Sequence, residues 1–252
     1  GAYAARFSAT TGSCETLAEI LSTFRKMKEQ IQEIIKSKDL KDITIDMVEN
    51  ALDNQLTESV VKEVPILKTL VAVKNIYSSY TDRIFIKKAM NVLLELGELD
   101  EEEKEELISE LEDEDGNGVE KILMSIDKLE SIRKCKVFGR LCKLKAQGEL
   151  YVENFLRLTK LIQEAYLDDL ILITNFKPDE KKEIWEGEYA SLISLGLIFQ
   201  QRSEQMRIER NYQYTPDDPE FKGGEINFYY TLSDVGELLH RHYYELFPEE
   251  KK

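Results

Sequence analysis

The feature that most constrains the fold of this chain is a pair of apolar periodicities between Ser131 and Phe176, both of helical spacing, which meet across one clear break. In the first, Ile132, Cys135, Phe138, Leu141 and Cys142 recur at threes and fours, which places them on one face of a helix. In the second, Phe155, Leu158, Leu161, Ile162, Ala165, Leu170 and Ile173 keep a broad apolar side turned one way from Leu150 to about Phe176. Between them Ala146-Gln147-Gly148-Glu149 interrupts the rhythm, and Gly148 suits the left-handed residue that closes a helix because it has no Cβ to clash. Two apolar faces joined by so short a turn bury each other, so the spacing predicts a helical hairpin with the rest of the chain packed around it.

Upstream the pattern stays helical. Residues 1–12 are small and polar without a period and read as poorly ordered. Thr16 and Glu19 form a capping-box pattern, and Leu17, Ile20, Leu21, Phe24, Met27, Ile31, Ile34 and Ile35 continue it as an apolar stripe. That stripe reads as core, with a dimerising helix over residues 16–36 as the alternative. Ile45, Val48, Leu52 and Leu56 mark a second, shorter helix. Pro65 then opens a segment whose Ile66, Leu67, Leu70, Val71, Val73, Ile76 and Tyr77 wrap much of the helix circumference, predicting a central buried helix or, alternatively, a membrane-interface segment. The run from Val64 to Tyr80 is interrupted by Lys68, Lys74 and Asn75 and is too short to span a bilayer. Ile84, Phe85, Ala89, Val92, Leu93 and Leu96 form a further helix stopped by Gly97.

Charge is distributed unevenly, and this bears on function. The net charge of −15 opposes broad nucleic-acid affinity, which depends on neutralising phosphates with Lys and Arg. Glu98 to Asp115 holds twelve acids against Lys104 alone and so carries −11 of that total, with Leu99, Leu107, Ile108 and Leu111 giving it a helical period and its acids a solvated face. Asp113, Asp115 and Asn117, with Gly118 in the sixth place, match the first half of a calcium-binding EF-hand loop. The twelfth place is Met124, where a bidentate Glu is required, so the loop is read as a polar turn and no metal site is assigned, with weak divalent-cation binding at Asp113, Asp115 and Asn117 as the alternative. Beyond it the charge reverses. Arg133, Lys136, Arg140 and Lys143, spaced three, four and three, line one stripe of the hairpin's first helix with no acid between Ser131 and Gly148. Either the stripe faces solvent or the acids of residues 98–115, or it is a contact surface for an acidic protein partner, anionic lipid at a membrane periphery or, least consistent with −15, nucleic acid.

After Lys177-Pro178 the character changes. Ile184, Trp185, Tyr189, Leu192 and Ile193 read as a short helix, Leu195-Gly196 as a turn into a strand at Leu197-Ile198-Phe199, Ile226 to Thr231 as a second strand, and Ser233 as the cap of a final helix. That order is the later part of a winged helix, with residues 203–224 as an enlarged wing. From Tyr166 onward eighteen acids face ten bases, and a recognition helix at Lys181 to Ala190 would carry Glu183, Glu186 and Glu188, so DNA reading is disfavoured.

Catalytic signals are absent from the sequence. His240 and His242 are two apart and diverge on a helix, leaving only His240 with Glu237 at ligand spacing. Cys14, Cys135 and Cys142 are an odd count without metal spacing and read as free thiols in a reducing compartment. No phosphate loop, nucleophile elbow or paired-Cys motif occurs, and no cofactor is implied.

Three passages resemble a group of uncharacterised bacterial proteins, mostly helical with a C-terminal winged-helix-like module. They are Val64-Pro65-Ile66-Leu67-Lys68-Thr69-Leu70-Val71 with Thr81-Asp82-Arg83-Ile84-Phe85-Ile86-Lys87-Lys88; Gly148-Glu149-Leu150 with Tyr166-Leu167-Asp168-Asp169-Leu170; and Ser194-Leu195-Gly196-Leu197 with Tyr230-Thr231-Leu232-Ser233-Asp234-Val235-Gly236. The resemblance implies bacterial origin and transfers no activity. The group's proline-led segment is often glycine-rich where Thr69, Ala72 and Lys74 stand here. The expectation is therefore a mainly α protein: a helical bundle over 13–176, a winged-helix-like α+β module over 177–252, and a cytoplasmic, non-enzymatic interaction or regulatory role, with a membrane-acting effector and a transcription regulator as alternatives.

Overall fold

A short acidic helix shows how local chemistry sets the boundaries in this chain. Helix α2 (Glu101–Leu111) begins at Asp100, whose side chain accepts from the Glu103 amide at 2.8 Å while the Glu103 carboxylate accepts from the Asp100 amide at 2.9 Å, a reciprocal capping box. Before it, α1 (Tyr80–Leu96) buries Ile86, Ala89, Met90, Val92 and Leu96 and stops at Gly97, as its apolar spacing predicts. Along α2, Leu107, Ile108 and Leu111 are buried and most of the acids are exposed, yet Lys104, the one base of the stretch, is buried with them. Helix α3 (Gly118–Lys128) starts against the end of α2. A Cβ on Gly118 would lie 2.7 Å from the Ile108 carbonyl oxygen, and Lys121 Nζ donates to the Leu111 carbonyl at 3.2 Å, satisfying a C-terminal group of α2 that lacks an intrahelical partner.

The structure, a computed structural model, describes residues 35, 80–112, 118–183, 187–202 and 228–251. The predicted disordered stretch 1–12, the stripe over 16–36 apart from the buried helical residue Ile35, the proline-led segment 64–77, the calcium-like positions Asp113, Asp115 and Asn117, Cys14 and the wing over 203–224 lie outside them. The chain divides into two compact units between Ile126 and Asp127. Phe176, where the helical bundle is expected to end, is buried and meets Tyr189 edge to face at 5.2 Å.

The predicted hairpin lies in the second unit. Helix α4 (Ile132–Ala146) is capped by Ser131, whose hydroxyl accepts from the Lys134 amide. It closes with Gly148 at φ 74°, where the Glu149 amide donates to Leu144 and the Gly148 amide to Lys145, the paired bonds of a Schellman turn. Helix α5 (Val152–Glu164) packs back on it, and Phe138 and Phe155 approach to 6.1 Å between ring centres.

Here the sequence expectation needs correcting. The second helix does not run on to Phe176: α5 ends at Glu164, Ala165 and Tyr166 are extended, and Leu167–Asn175 is a 3-10 helix of nine residues. Its buried residues explain the change of winding, because Leu167, Leu170 and Ile173, followed by Phe176, recur every third position, the period of a 3-10 helix.

The region after Pro178 is a tight turn with Asp179 at φ 62°, followed by extended chain in which Lys182 pairs backbone to backbone with Tyr230 at 2.9 and 3.0 Å. Of the short helix expected from Ile184 to Ile193, residues 184–186 lie outside the described residues, 187–189 form a turn, and helix is described from α6 (Ala190–Ser194), which closes in a second Schellman turn at Gly196, φ 68°. Strands β1 (Ile198–Arg202) and β2 (Phe228–Leu232) pair antiparallel from Ile198↔Leu232 to Arg202↔Phe228. Helix α7 (Asp234–Leu246), capped by Ser233, then packs on α4, α5 and the 3-10 helix. The architecture is mainly helical with a small two-stranded antiparallel sheet.

Candidate functional site

Helix α4 is enclosed by α5 and α7, and from 133 to 146 every residue is buried except Arg133, Lys136, Arg140 and Lys143, which are half-buried. The predicted stripe is thus the one line along which this stretch of the helix reaches the surface, and every position on it is a cation. Like charges at three and four spacing repel on an isolated helix by a few tenths of a kcal/mol per pair. Arg133 and Arg140 are matched by nearby carboxylates.

Arg133 pairs with Asp168 and, at 2.9 Å, with Glu250. The Asp168 carboxylate, through its hydrogen bond, raises the guanidinium pKa above its ordinary value, so Arg133 is charged at every pH the fold meets. Arg140 donates to the Leu246 carbonyl at 2.9 Å and to Glu249 at 3.0 Å. Glu249 and Glu250 sit on a 3-10 turn, Pro248–Glu250, that follows α7. Glu250 also accepts from the Tyr243 hydroxyl, and Tyr243, buried and stacked on Phe247 at 4.8 Å, has its pKa pushed up by burial and by that carboxylate. Among the described residues the Lys136 side chain makes no hydrogen bond or ion pair.

None of Asp168, Glu249, Glu250 or Tyr243 was singled out by sequence reasoning as belonging to the stripe. The available signal was Phe247-Pro248-Glu249-Glu250, a proline-led turn directly after an amphipathic helix, but nothing local says that it folds against residues more than a hundred positions earlier.

A third cation of α4 takes a different role. Lys134 is buried, donates to the Gln163 carbonyl at 2.9 Å in the last turn of α5, and meets Glu130 at 2.7 Å, holding that carboxyl below its usual range through the hydrogen bond and the charge. Its ammonium sits where the negative end of the α5 dipole calls for a positive charge.

Other polar groups form no comparable site. His242 Nδ1 donates to Glu245 Oε2 at 2.7 Å and its Nε2 is buried without a partner, while Glu237 and His240 join no metal-ligand cluster among the described residues. Cys135 and Cys142 are buried and form no disulfide, and burial pushes the Cys142 thiol pKa up, away from reactivity. A shallow open depression of about 330 Å³ is lined by Ala190, Ile193, Ser194, Gln200 and Tyr230 and holds no charged side chain. No described helix is long and apolar enough to cross a membrane. Compared with known proteins, the chain matches no family model, no curated protein and no solved structure.

Proposed function

We propose that this is a bacterial, cytoplasmic interaction protein that acts without catalysis and binds an acidic segment of a protein partner along the stripe Arg133, Lys136, Arg140 and Lys143. The observation that carries this reading is that α4 reaches the surface only at these four cations between 133 and 146, so its whole accessible line is positive within a chain of net charge −15. Asp168, Glu249 and Glu250 offset part of this charge; what remains attracts carboxylates and is weakened by salt. Arg133 and Arg140 already hold the carboxylates of Asp168, Glu249 and Glu250, which supports the stripe's fit to acidic side chains. The sequence order of α6, β1, β2 and α7 supports a winged-helix-like module for residues 177–252 that contributes contact surface, and the acidic balance there disfavours DNA.

Arg133 and Arg140 also take part in internal ion pairs, so reversing them would mix stability with binding. Lys136→Glu is the cleaner test, since among the described residues the Lys136 side chain makes no hydrogen bond or ion pair. Fluorescence anisotropy with a labelled hexaglutamate peptide at low ionic strength should show salt-sensitive binding that this variant weakens severalfold, with its melting temperature within a few degrees of the parent. Unchanged binding by Lys136→Glu overturns the proposal.

A further inference from the structure

Arg133 and Arg140 stand seven residues apart on α4, about 10.5 Å along its axis. Each is met by one of two consecutive carboxylates, Glu250 and Glu249, carried on the single turn Pro248–Glu250. The two carboxylates are held unequally. Glu250 is 17% exposed at its side chain and is fixed from two sides, by Arg133 and by the Tyr243 hydroxyl. Phe247, fully buried on the Tyr243 ring, anchors the turn from the residue just before it. Glu249 is 45% exposed and engages Arg140 through one ion pair at 3.0 Å. Arg140 also donates to the Leu246 carbonyl at 2.9 Å, a bond that does not involve Glu249.

We infer that the Pro248–Glu250 turn is a built-in occupant of the basic stripe, with Glu250 as its anchor and Glu249 as the arm that an acidic partner displaces. This rests on the reading of the stripe as an acidic-segment site. An exposed ion pair of this kind is weak and exchanges readily with a competing carboxylate. Arg140 lies between Lys136 and Lys143, so a segment binding along the stripe meets Glu249 at its middle. The arm then sets a threshold: a single stray carboxylate gains little by replacing it, whereas a segment that also engages Lys136 displaces it.

The test compares Glu249→Gln and Glu249→Ala with Glu188→Gln, which removes the same charge at an exposed position that pairs with none of the stripe's cations. With the hexaglutamate probe at low salt, both Glu249 variants should bind about two- to fivefold more tightly than Glu188→Gln, the scale of one exposed ion pair. Equal affinities, with probe binding still weakened by Lys136→Glu, overturn the turn's role and leave the stripe's function standing. No probe binding by any of these proteins overturns both.

Discussion

Replacing Gly236 by Ala should destabilise the second unit although Ala is the better helix former. Gly236 lies in the first turn of α7, and a Cβ there would stand 2.0 Å from the Leu197 carbonyl oxygen and 3.0 Å from its carbon, both backbone atoms that cannot swing aside. Ordinary carbon to oxygen contacts begin near 3.3 Å, so α7 and the Gly196 turn would have to separate by roughly 1.3 Å, the difference between that contact distance and the one here. That motion pulls on the bonds joining them, from the Ser233 amide to Leu197 at 2.9 Å and from the Ser233 hydroxyl to Gly196 at 2.7 Å. Overpacking costs about 1–3 kcal/mol and a weakened hydrogen bond about 1 kcal/mol, against a helix-propensity gain of up to about 1 kcal/mol. The net loss is about 2 kcal/mol, or roughly 5–10 °C in melting temperature. Urea and thermal unfolding followed by circular dichroism would measure it beside Gly187→Ala, where nothing lies within 4 Å and φ is not left-handed, so stability should hold or rise by about 0.4–1 kcal/mol. If Gly236→Ala matches the parent within 0.5 kcal/mol or so, the close approach of α7 to the turn is refuted.

Three further outcomes follow from buried polar groups. Lys134→Met keeps the side-chain volume but leaves the Gln163 carbonyl without its buried donor, so urea unfolding should show a loss of about 1–2 kcal/mol; a variant as stable as the parent would mean that this carbonyl is satisfied by water. Cys135 and Cys142 should resist a thiol reagent at pH 8 until denaturant is added, as peptide mass spectrometry would record, and rapid labelling of either in the folded protein would contradict their burial. Tyr243 has a raised folded pKa because of burial and the Glu250 carboxylate, so its contribution to stability is fully present below the ordinary tyrosine value near pH 10 and is lost as the pH rises above it. Stability measured from pH 8 to 11.5 should therefore fall more steeply in the parent than in Tyr243→Phe, and parallel curves would exclude Tyr243 as the group responsible.

Much of this molecule is legible in the chain because its signals are local. The Gly148 and Gly196 turns follow from glycine's tolerance of positive φ, the Ser131 and Ser233 caps from a hydroxyl placed before a helical period, and α1, α4 and α7 from apolar residues at threes and fours. The basic stripe is visible for the same reason, since spacing alone puts four cations on one line of α4. Tertiary structure decided what spacing cannot. Residues 150–176 carry no glycine or proline, and one apolar register passes into another of period three; only packing against α6 and α7 makes the chain leave α5 at Ala165 and wind as a 3-10 helix. Likewise the extended conformation of Lys182 depends on pairing with Tyr230, forty-eight residues later in the sequence, rather than on any propensity of its own. The carboxylates on Arg133 and Arg140 come from positions 168, 249 and 250, and an ion pair between residues so far apart leaves no period in the sequence, because it is made only when packing brings α7 and its following turn onto α4.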